Sequence, residues 1–242
     1  MDITVALLIY RSPEYLDFVM ESLLSHPSKE HNVQYLIVCN DATDDVIIKA
    51  SEYASELSKD YSPPINVVSH RNDNPNDWWI QNVYNAWNRC IKECETDYIC
   101  FVNSDMAFTE GWLDNLAKYD TKMYIPTSRL IESGRMPSLP GLISRNFGQS
   151  IRAFDRKGFE DFAEGEKRPG MMQNMGAYMP SLFKVDTLKS IGGWSKNEGN
   201  HPGDQITFAR LYQKFGMKHI MVMDSMAYHL QRGESAETGD LK

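Results

Sequence analysis

The stretch Thr96–Leu116 reads TDYICFVNSDMAFTEGWLDNL and contains one full step of the chain's organisation. Tyr98–Val102 (YICFV) is a short unbroken apolar run, as in a strand covered on both faces. It stops at Asn103-Ser104-Asp105, and a helix with Leu113 and Leu116 inward follows over Glu110–Tyr119. Asn, Ser and Asp are ordinary turn formers. A carboxylate at the mouth of a buried strand can also bind a divalent cation that bridges two phosphates. The tripeptide alone does not separate these readings.

The same strand-then-helix step recurs on either side. Ile3–Ile9 (ITVALLI) predicts a buried strand, and Ser12-Pro13-Glu14 opens a helix with Leu16, Val19, Met20, Leu23 and Leu24 on one face. Gln34–Cys39 predicts a second strand. Val46, Ile47, Ala50 and Tyr53 stripe a second helix, and Pro63-Pro64 marks the loop before a third strand at Ile65–Ser69. Asp77–Glu93 predicts a helix burying Trp79, Val83, Trp87, Cys90 and Ile91, and Met123–Ile125 a short fifth strand. Alternation of this kind implies βαβ units with right-handed crossovers.

From Arg129 to Met175 the pattern fades into a polar, Gly/Pro-rich stretch in which eight Arg and Lys residues mix with Glu and Asp. Two readings stand for it, a solvated loop of mixed charge and a lid over an acceptor. Order resumes at Gly176–Phe183. A turn at Gly192-Gly193, a helix over Asp204–Phe215, a strand at His219–Met223 and a last one at Met226–Leu230 follow.

Composition narrows the function classes. In 242 residues, 42% are hydrophobic and 24% charged, which is a globular balance and not a disordered one. The net charge of −8 argues against a protein that holds nucleic acid by its overall field. Cys39, Cys90, Cys94 and Cys100 include no CxxC pair and read as small buried thiols of a reducing compartment. The N-terminus has no basic segment or cleavage site, and no run approaches the roughly 20 apolar residues of a membrane span. The expectation is a cytoplasmic protein without a membrane anchor of its own. The absence of GxGxxG and GxxxxGK[ST] withholds support from a dinucleotide cradle or a P-loop.

In an open α/β sheet, ligands bind beyond the carboxyl ends of the strands. Tyr10-Arg11 follow the first strand, Asn40-Asp41-Ala42-Thr43-Asp44-Asp45 the second and Asn103-Ser104-Asp105 the fourth. These polar clusters are expected to share one crevice.

In that context the Thr96–Leu116 run resembles the DxD segment of GT-A glycosyltransferases, most closely glycosyltransferase family 2. ALLIYRSPEYLDFVMESLL is similar to the family's opening strand and helix, and IVCNDATDD to its second-strand signature. NVYNAWNRCI resembles the helix that commonly reads Ala-Arg-Asn-x-Gly-Ile, with Asn88 fifteen positions before Asn103. GAYMPSLFKVDTLKSIGGW, GDQITFAR and AYHLQRGES resemble the later strand and turn, the Glu-Asp-x-Asp-Leu-x-x-Arg helix and a closing His-x-x-x-x-Ser.

The resemblance implies a GT-A, Rossmann-like α/β fold with a mainly parallel central sheet flanked by helices. It implies a single domain over 1–242, with a nucleotide-sugar half at 1–125, an acceptor and catalytic half at 126–232 and a loose tail at 233–242. Asp105 would hold Mn²⁺ or Mg²⁺ on the diphosphate of a UDP- or GDP-sugar, and His229 is the further metal candidate. Asn103, where the family has an acid, would face the ribose with Ser104 beside it. Asn40 and Asp41 would lie near the base, with Tyr10, Arg11, Asn88 and Arg232 also on the donor side. Asp204 would be the general base of an inverting transfer to an acceptor hydroxyl on a glycan, lipid-linked saccharide or protein. Trp194 and His201 would line the acceptor. Trp87 stands where the family often has Arg, and Gly203 where it has Glu.

Bland readings accompany these. Asp204 can be a helix N-cap, His229 a structural histidine, His201 a loop residue and Trp194 a core residue. Three functional alternatives stay open: a nucleotide- or sugar-binding protein on the same scaffold without turnover, a retaining GT-A enzyme and a nucleotidyltransferase.

Overall fold

The structure, a computed structural model, describes residues 1–60, 64–74, 77–135, 139–198, 201–231 and 233, with the side chains of 57–60 left aside. Pro63, Arg232 and the tail from 234 lie outside the described residues.

The first half of the chain folds as βα steps. Strands β1 (Asp2–Ile9), β2 (Asn32–Asn40), β3 (Ile65–His70) and β4 (Tyr98–Val102) alternate with helices α1 (Pro13–Ser25), α2 (Asp44–Asp60) and α3 (Trp79–Glu93). Then come β5 (Met106–Phe108), α4 (Trp112–Ala117), β6 (Tyr124–Glu132), β7 (Ile143–Ser144) and α5 (Arg156–Glu166). The chain continues through β8 (Met172–Asn174), β9 (Ser181–Lys184), α6 (Val185–Ser190), α7 (Gly203–Phe215) and β10 (Lys218–His229). One sheet runs in the order β3-β2-β1-β4-β9-β6-β10-β5, with β7 on β6 and β8 on β10. The β3-β2-β1-β4 half is parallel throughout. Antiparallel pairings enter only through β5, β8 and β9.

Helices cover both faces, so successive residues of the buried strands point into two different cores. On β1, Ile3, Val5, Leu7 and Ile9 face one core with Tyr15, Leu16 and Val19 of α1, Trp112 of α4 and Phe159 of α5. Ala6 and Leu8 face the other with Trp87 and Cys90 of α3, Leu188 of α6 and Phe208 and Leu211 of α7. Trp87 meets the Phe101 ring edge-on at 4.8 Å, in keeping with its core reading. All four cysteines are buried free thiols.

Several expectations are corrected here. The fifth strand extends from Tyr124 to Glu132, well past the point where the polar stretch was expected to begin. The two last strands are one, β10, with a bulge between Val222 and Met226 where its register on β6 shifts. Trp79 is exposed beside Trp78, because α3 starts at Trp79 and its first turn overhangs the core. The Arg129–Met175 stretch is not a plain solvated loop. Phe147 and Phe159 are buried in the first core, and the Tyr228 hydroxyl accepts from Phe147 N and donates to Gly148 O. Three of its cations are paired with carboxylates, Arg152 with Glu14, Arg156 with Glu21 and Lys157 with Asp161. Such exposed pairs contribute about 0–1 kcal/mol each.

His219, at the start of β10, is half-buried with its ring 5.6 Å from that of Tyr178, and its Nε2–H donates to the Ala177 carbonyl at 3.2 Å. Burial pushes its pKa down to about 4 against the opposing pull of that hydrogen bond. A histidine kept neutral by folding contributes stability above its unfolded pKa near 6.5, and that contribution fades as pH falls toward about 4. Between pH 7.5 and 5 the unfolding free energy is expected to drop by up to about 2 kcal/mol through this group. Urea titrations of the native protein and of His219→Phe at both pH values check this, the variant showing the smaller drop.

Candidate active site

The parallel strands β2, β1 and β4 end on the same edge of the sheet, which brings the three polar clusters there. Tyr10 and Arg11 leave β1 with the Arg11 guanidinium 4.6 Å from the centre of the Tyr10 ring. At the end of β2, Asn40 is buried and Asp41 takes a left-handed backbone, φ 50°. Asn72, just past β3, donates from its backbone N–H to Asp41 Oδ1 at 3.0 Å. Its side-chain amide donates to Asp41 Oδ2 at 2.5 Å and to Asn40 Oδ1 at 2.9 Å. The Asn72 Oδ1 atom is itself buried without a hydrogen-bond partner. This amide clamp holds both carboxylate oxygens of Asp41, each of which keeps lone pairs for a further donor.

Asn103 and Ser104 form the turn between β4 and β5, half-buried, and Asp105 closes it with 6% exposure. The pairing of β5 with β10 sets His229 opposite Met106, so the imidazole lies beside Asp105. His229 Nε2 is 3.2 Å from Asp105 Oδ2, and its Nδ1 is 3.3 Å from Glu132 Oε1 on β6. Gly233 N–H also donates to Asp105 Oδ2 at 3.2 Å. Burial opposes charge on both members of the pair. The opposite charge and hydrogen bond of each outweigh it, holding Asp105 below the usual carboxylate range and pushing His229 up to about 10.

A divalent cation fits the same two atoms. Ligands about 2.1 Å from a metal and adjacent in its coordination sphere lie near 3 Å apart, and carboxylate with neutral imidazole is a donor set for Mn-type ions. Among the described residues no group of three or more His, Cys, Asp or Glu side chains forms a complete cage. The remaining ligands would be phosphate oxygens and water, as is usual for such ions on nucleotides.

Asp204 lies in the first turn of α7 and is not its cap. Pro202 holds the N-cap position, and the Asn197 side chain accepts from Gly203 N–H at 2.7 Å. Ser195 N–H donates to Thr207 Oγ1 at 2.8 Å, and Arg210 donates to the Ser195 hydroxyl at 3.1 Å, bracing the helix. Burial raises the Asp204 carboxyl above the ordinary carboxylate range, against hydrogen bonds from Gln205 N–H and the Tyr84 hydroxyl. Tyr178 also feels its charge. Tyr178 leads into β9, whose Ser181 pairs with Phe101 near the end of β4, so Asp204 belongs to the same edge of the sheet as Asp105. Gly203 is required by packing. A Cβ there would overlap the Ser195 carbonyl oxygen and approach the Tyr84 ring at 2.7 Å, which leaves no room for a glutamate.

Two sequence assignments change. Trp194 is 2% exposed, its ring packed among Phe101, Phe183 and Phe208 and stacked with Tyr84, so it has no free face for an acceptor sugar. Asn88 does not face the donor. Its amide accepts from Trp194 N–H at 2.8 Å and donates to Trp194 O at 3.0 Å, clamping the Gly193-Trp194 turn. His201 is an exposed residue bridged through its backbone to Glu198. Sequence reasoning passed over Asn72 and Glu132, although Asn72 lies three residues past the strand-like run Ile65–Ser69 and Glu132 directly follows Leu130-Ile131.

A central sheet with helices on both faces, carrying an acidic turn at the end of an inner strand and an imidazole beside it, is an architecture of the GT-A type. The protein-family comparison goes further: the model for Glycosyl transferase family 2 matches residues 4–183. This chain belongs to that family. Among solved structures it is similar to S. aureus TarS 1-349, with 12% identity, TM-score 0.61 and coverage of 95% of this chain and 60% of that one. It is also similar to GalNAc-T7 crystallised with UDP, GalNAc and Mn²⁺, with 11% identity, TM-score 0.62 and coverage of 95% of this chain and 44% of that one. TarS 1-349 has likewise been crystallised with UDP-GlcNAc. The chain thus spans less than two thirds of the length of these neighbours. A search of curated protein sequences returns no match. No helix among the described residues is long and apolar enough to cross a membrane.

The tight packing around Gly203 makes a direct forecast. Gly203→Ala is expected to lower stability by about 1–3 kcal/mol, as overpacking does. A lower urea midpoint at unchanged slope would register it, and an unshifted midpoint would mean that the α7 start yields without cost.

Proposed function

We propose that this enzyme transfers a sugar from a nucleoside diphosphate sugar, a UDP- or GDP-sugar, to an acceptor hydroxyl with inversion at the anomeric carbon and in a divalent-cation-dependent manner. The observation that carries the reading is the Asp105 carboxylate and His229 imidazole, 3.2 Å apart at the carboxyl edge of the sheet. The neighbours' Mn²⁺, UDP and UDP-GlcNAc support it.

In this reading Asp105 and His229 hold Mn²⁺ or Mg²⁺. The bound ion supplies Lewis-acid stabilisation of the negative charge gathering on the diphosphate. Asn40, Asp41 and Asn72 hold the base, where a carboxylate can accept an imino N–H, and Asn103 can hydrogen-bond a ribose hydroxyl. Tyr10, Arg11 and Ser104 line the donor side. Asp204 takes the proton of the acceptor hydroxyl as that oxygen bonds to the anomeric carbon, while the bond to the leaving phosphate oxygen breaks and its electron pair departs with the nucleoside diphosphate. Burial suits Asp204 to the role, because a carboxyl lifted above its ordinary range is a stronger base. Glycans, lipid-linked saccharides and proteins are the acceptor classes that carry such a hydroxyl.

Nucleotide release from UDP- and GDP-sugars, followed over an acceptor panel with and without Mn²⁺, tests this. Asp204→Asn should cut kcat by about 10²-fold or more while UDP binding persists. Asp105→Ala should weaken Mn²⁺-dependent binding of UDP. In the native enzyme the acidic limb of the kcat/KM profile should fall above the ordinary aspartate range. Full turnover in both variants would sink the assignment, and retention at the product anomer by NMR would remove the inverting mechanism.

A further inference from the structure

We propose that Glu132 is a positioning residue: its carboxylate takes the Nδ1–H of His229 and so presents the Nε2 lone pair toward Asp105 for a divalent cation. The inference rests on the reading of Asp105 and His229 as the metal pair.

The geometry comes from strand register. Glu132 is the last residue of β6, and in the parallel pairing of β6 with β10 its Cα partner is His229. The two side chains therefore leave the sheet side by side, and Glu132 Oε1 lies 3.3 Å from His229 Nδ1. On the other edge of β10, pairing with β5 sets Met106 opposite His229, and Asp105 Oδ2 lies 3.2 Å from Nε2. Each ring nitrogen thus faces a different carboxylate. Backbone bonds keep the β6 end in place: Ser133 N–H donates to the His229 carbonyl, and Arg145 N–H donates to the Glu132 carbonyl at 2.9 Å.

A buried glutamate with 7% exposure is costly unless its oxygens are used. Here one of them fixes a choice that the imidazole cannot make by itself. A neutral ring carries one N–H, and either nitrogen can bear it. With the proton held at Nδ1 by an acceptor, Nε2 is left as the ligand, and the ring is barred from flipping about its Cβ–Cγ bond. A carboxylate behind a ligating histidine is a recurrent arrangement, and losing it typically weakens metal binding by about 10–100-fold.

The test measures Mn²⁺ affinity in the presence of UDP, by the loss of the free-ion electron paramagnetic resonance signal. The variants are Glu132→Ala, Glu132→Gln, Asp105→Ala and His229→Ala, each checked for native circular dichroism. Expected is a loss of about 10–100-fold for Glu132→Ala, with most of it restored in Glu132→Gln, whose amide oxygen still accepts the Nδ1–H. Loss of binding in Asp105→Ala and His229→Ala combined with affinity within twofold of native in Glu132→Ala would overturn the role of Glu132 and leave the metal pair standing. Native affinity in Asp105→Ala and His229→Ala would overturn the metal pair, and this inference with it. Should Glu132→Ala fail to fold, the unaltered protein decides. With Mg²⁺ and UDP bound, long-range ¹H–¹⁵N correlations of His229 should report the Nδ1–H tautomer, and the Nε2–H tautomer would refute the proposal.

Discussion

Strand β10 is the element whose register the rest of the site depends on. Residues far apart in sequence, Asp105, Glu132 and His229, meet because one strand is hydrogen-bonded to β6 on one edge and β5 on the other. Side chains on a strand alternate between faces, so a slip of a single residue would turn His229 away from both carboxylates at once. Most of the order around the site serves to make that slip costly. Tyr228, the neighbour of His229, is buried in an aromatic cluster with Phe147, Phe154 and Phe159, and its hydroxyl ties down the chain at Phe147 and Gly148. The segment that looks like an insertion in the sequence is thus a brace on the far face of the strand that carries the imidazole.

The other side of the sheet solves a different problem, that of holding a loop in one shape next to a partly buried acid. Asn88 closes the Trp194 backbone like a missing strand partner, Asn197 caps α7, and Thr207 accepts from Ser195. Each bond satisfies a backbone group that burial would otherwise leave costly. Trp194 fills the space beneath them. These bonds tie the second core to the first turn of α7, where Asp204 sits against Tyr84.

Continuous buried strands were legible in the sequence because they need no partner to be recognised: ITVALLI and YICFV announce themselves by composition. The turn after the second of these pointed to Asp105 for the same reason. What escaped was set by tertiary contact. Helix α5 contains Gly158 and Gly165, which mask in the sequence the spacing of Phe159, Phe162 and Ala163. Strand β6 runs on through Thr127, Ser128 and Arg129, polar residues whose partners lie far along the chain, such as Ser225 for Ser128 and the Gly141 carbonyl for Arg129. Trp194 and Asn88 show the converse error. Their positions in the family pattern suggested ligand contact, while their neighbours in space assign them to packing and to the backbone.

The bulge in β10 has a further meaning for how this protein is put together. Val222 pairs with Ser128, yet Met226 pairs with Arg129, so Met223, Asp224 and Ser225 are an odd-numbered insertion on one side only. They are not left loose: Ser225 donates to the Trp112 carbonyl at 2.7 Å, and Asn115 donates to the Asp224 carbonyl at 2.7 Å. Helix α4 therefore acts as a clutch between the two halves of one strand. The first half keeps the phase demanded by the cores around Ile220 and Val222, and the second starts afresh, in the phase that turns His229 toward Glu132. Structural fit and chemical alignment can thereby be adjusted separately along a single continuous strand.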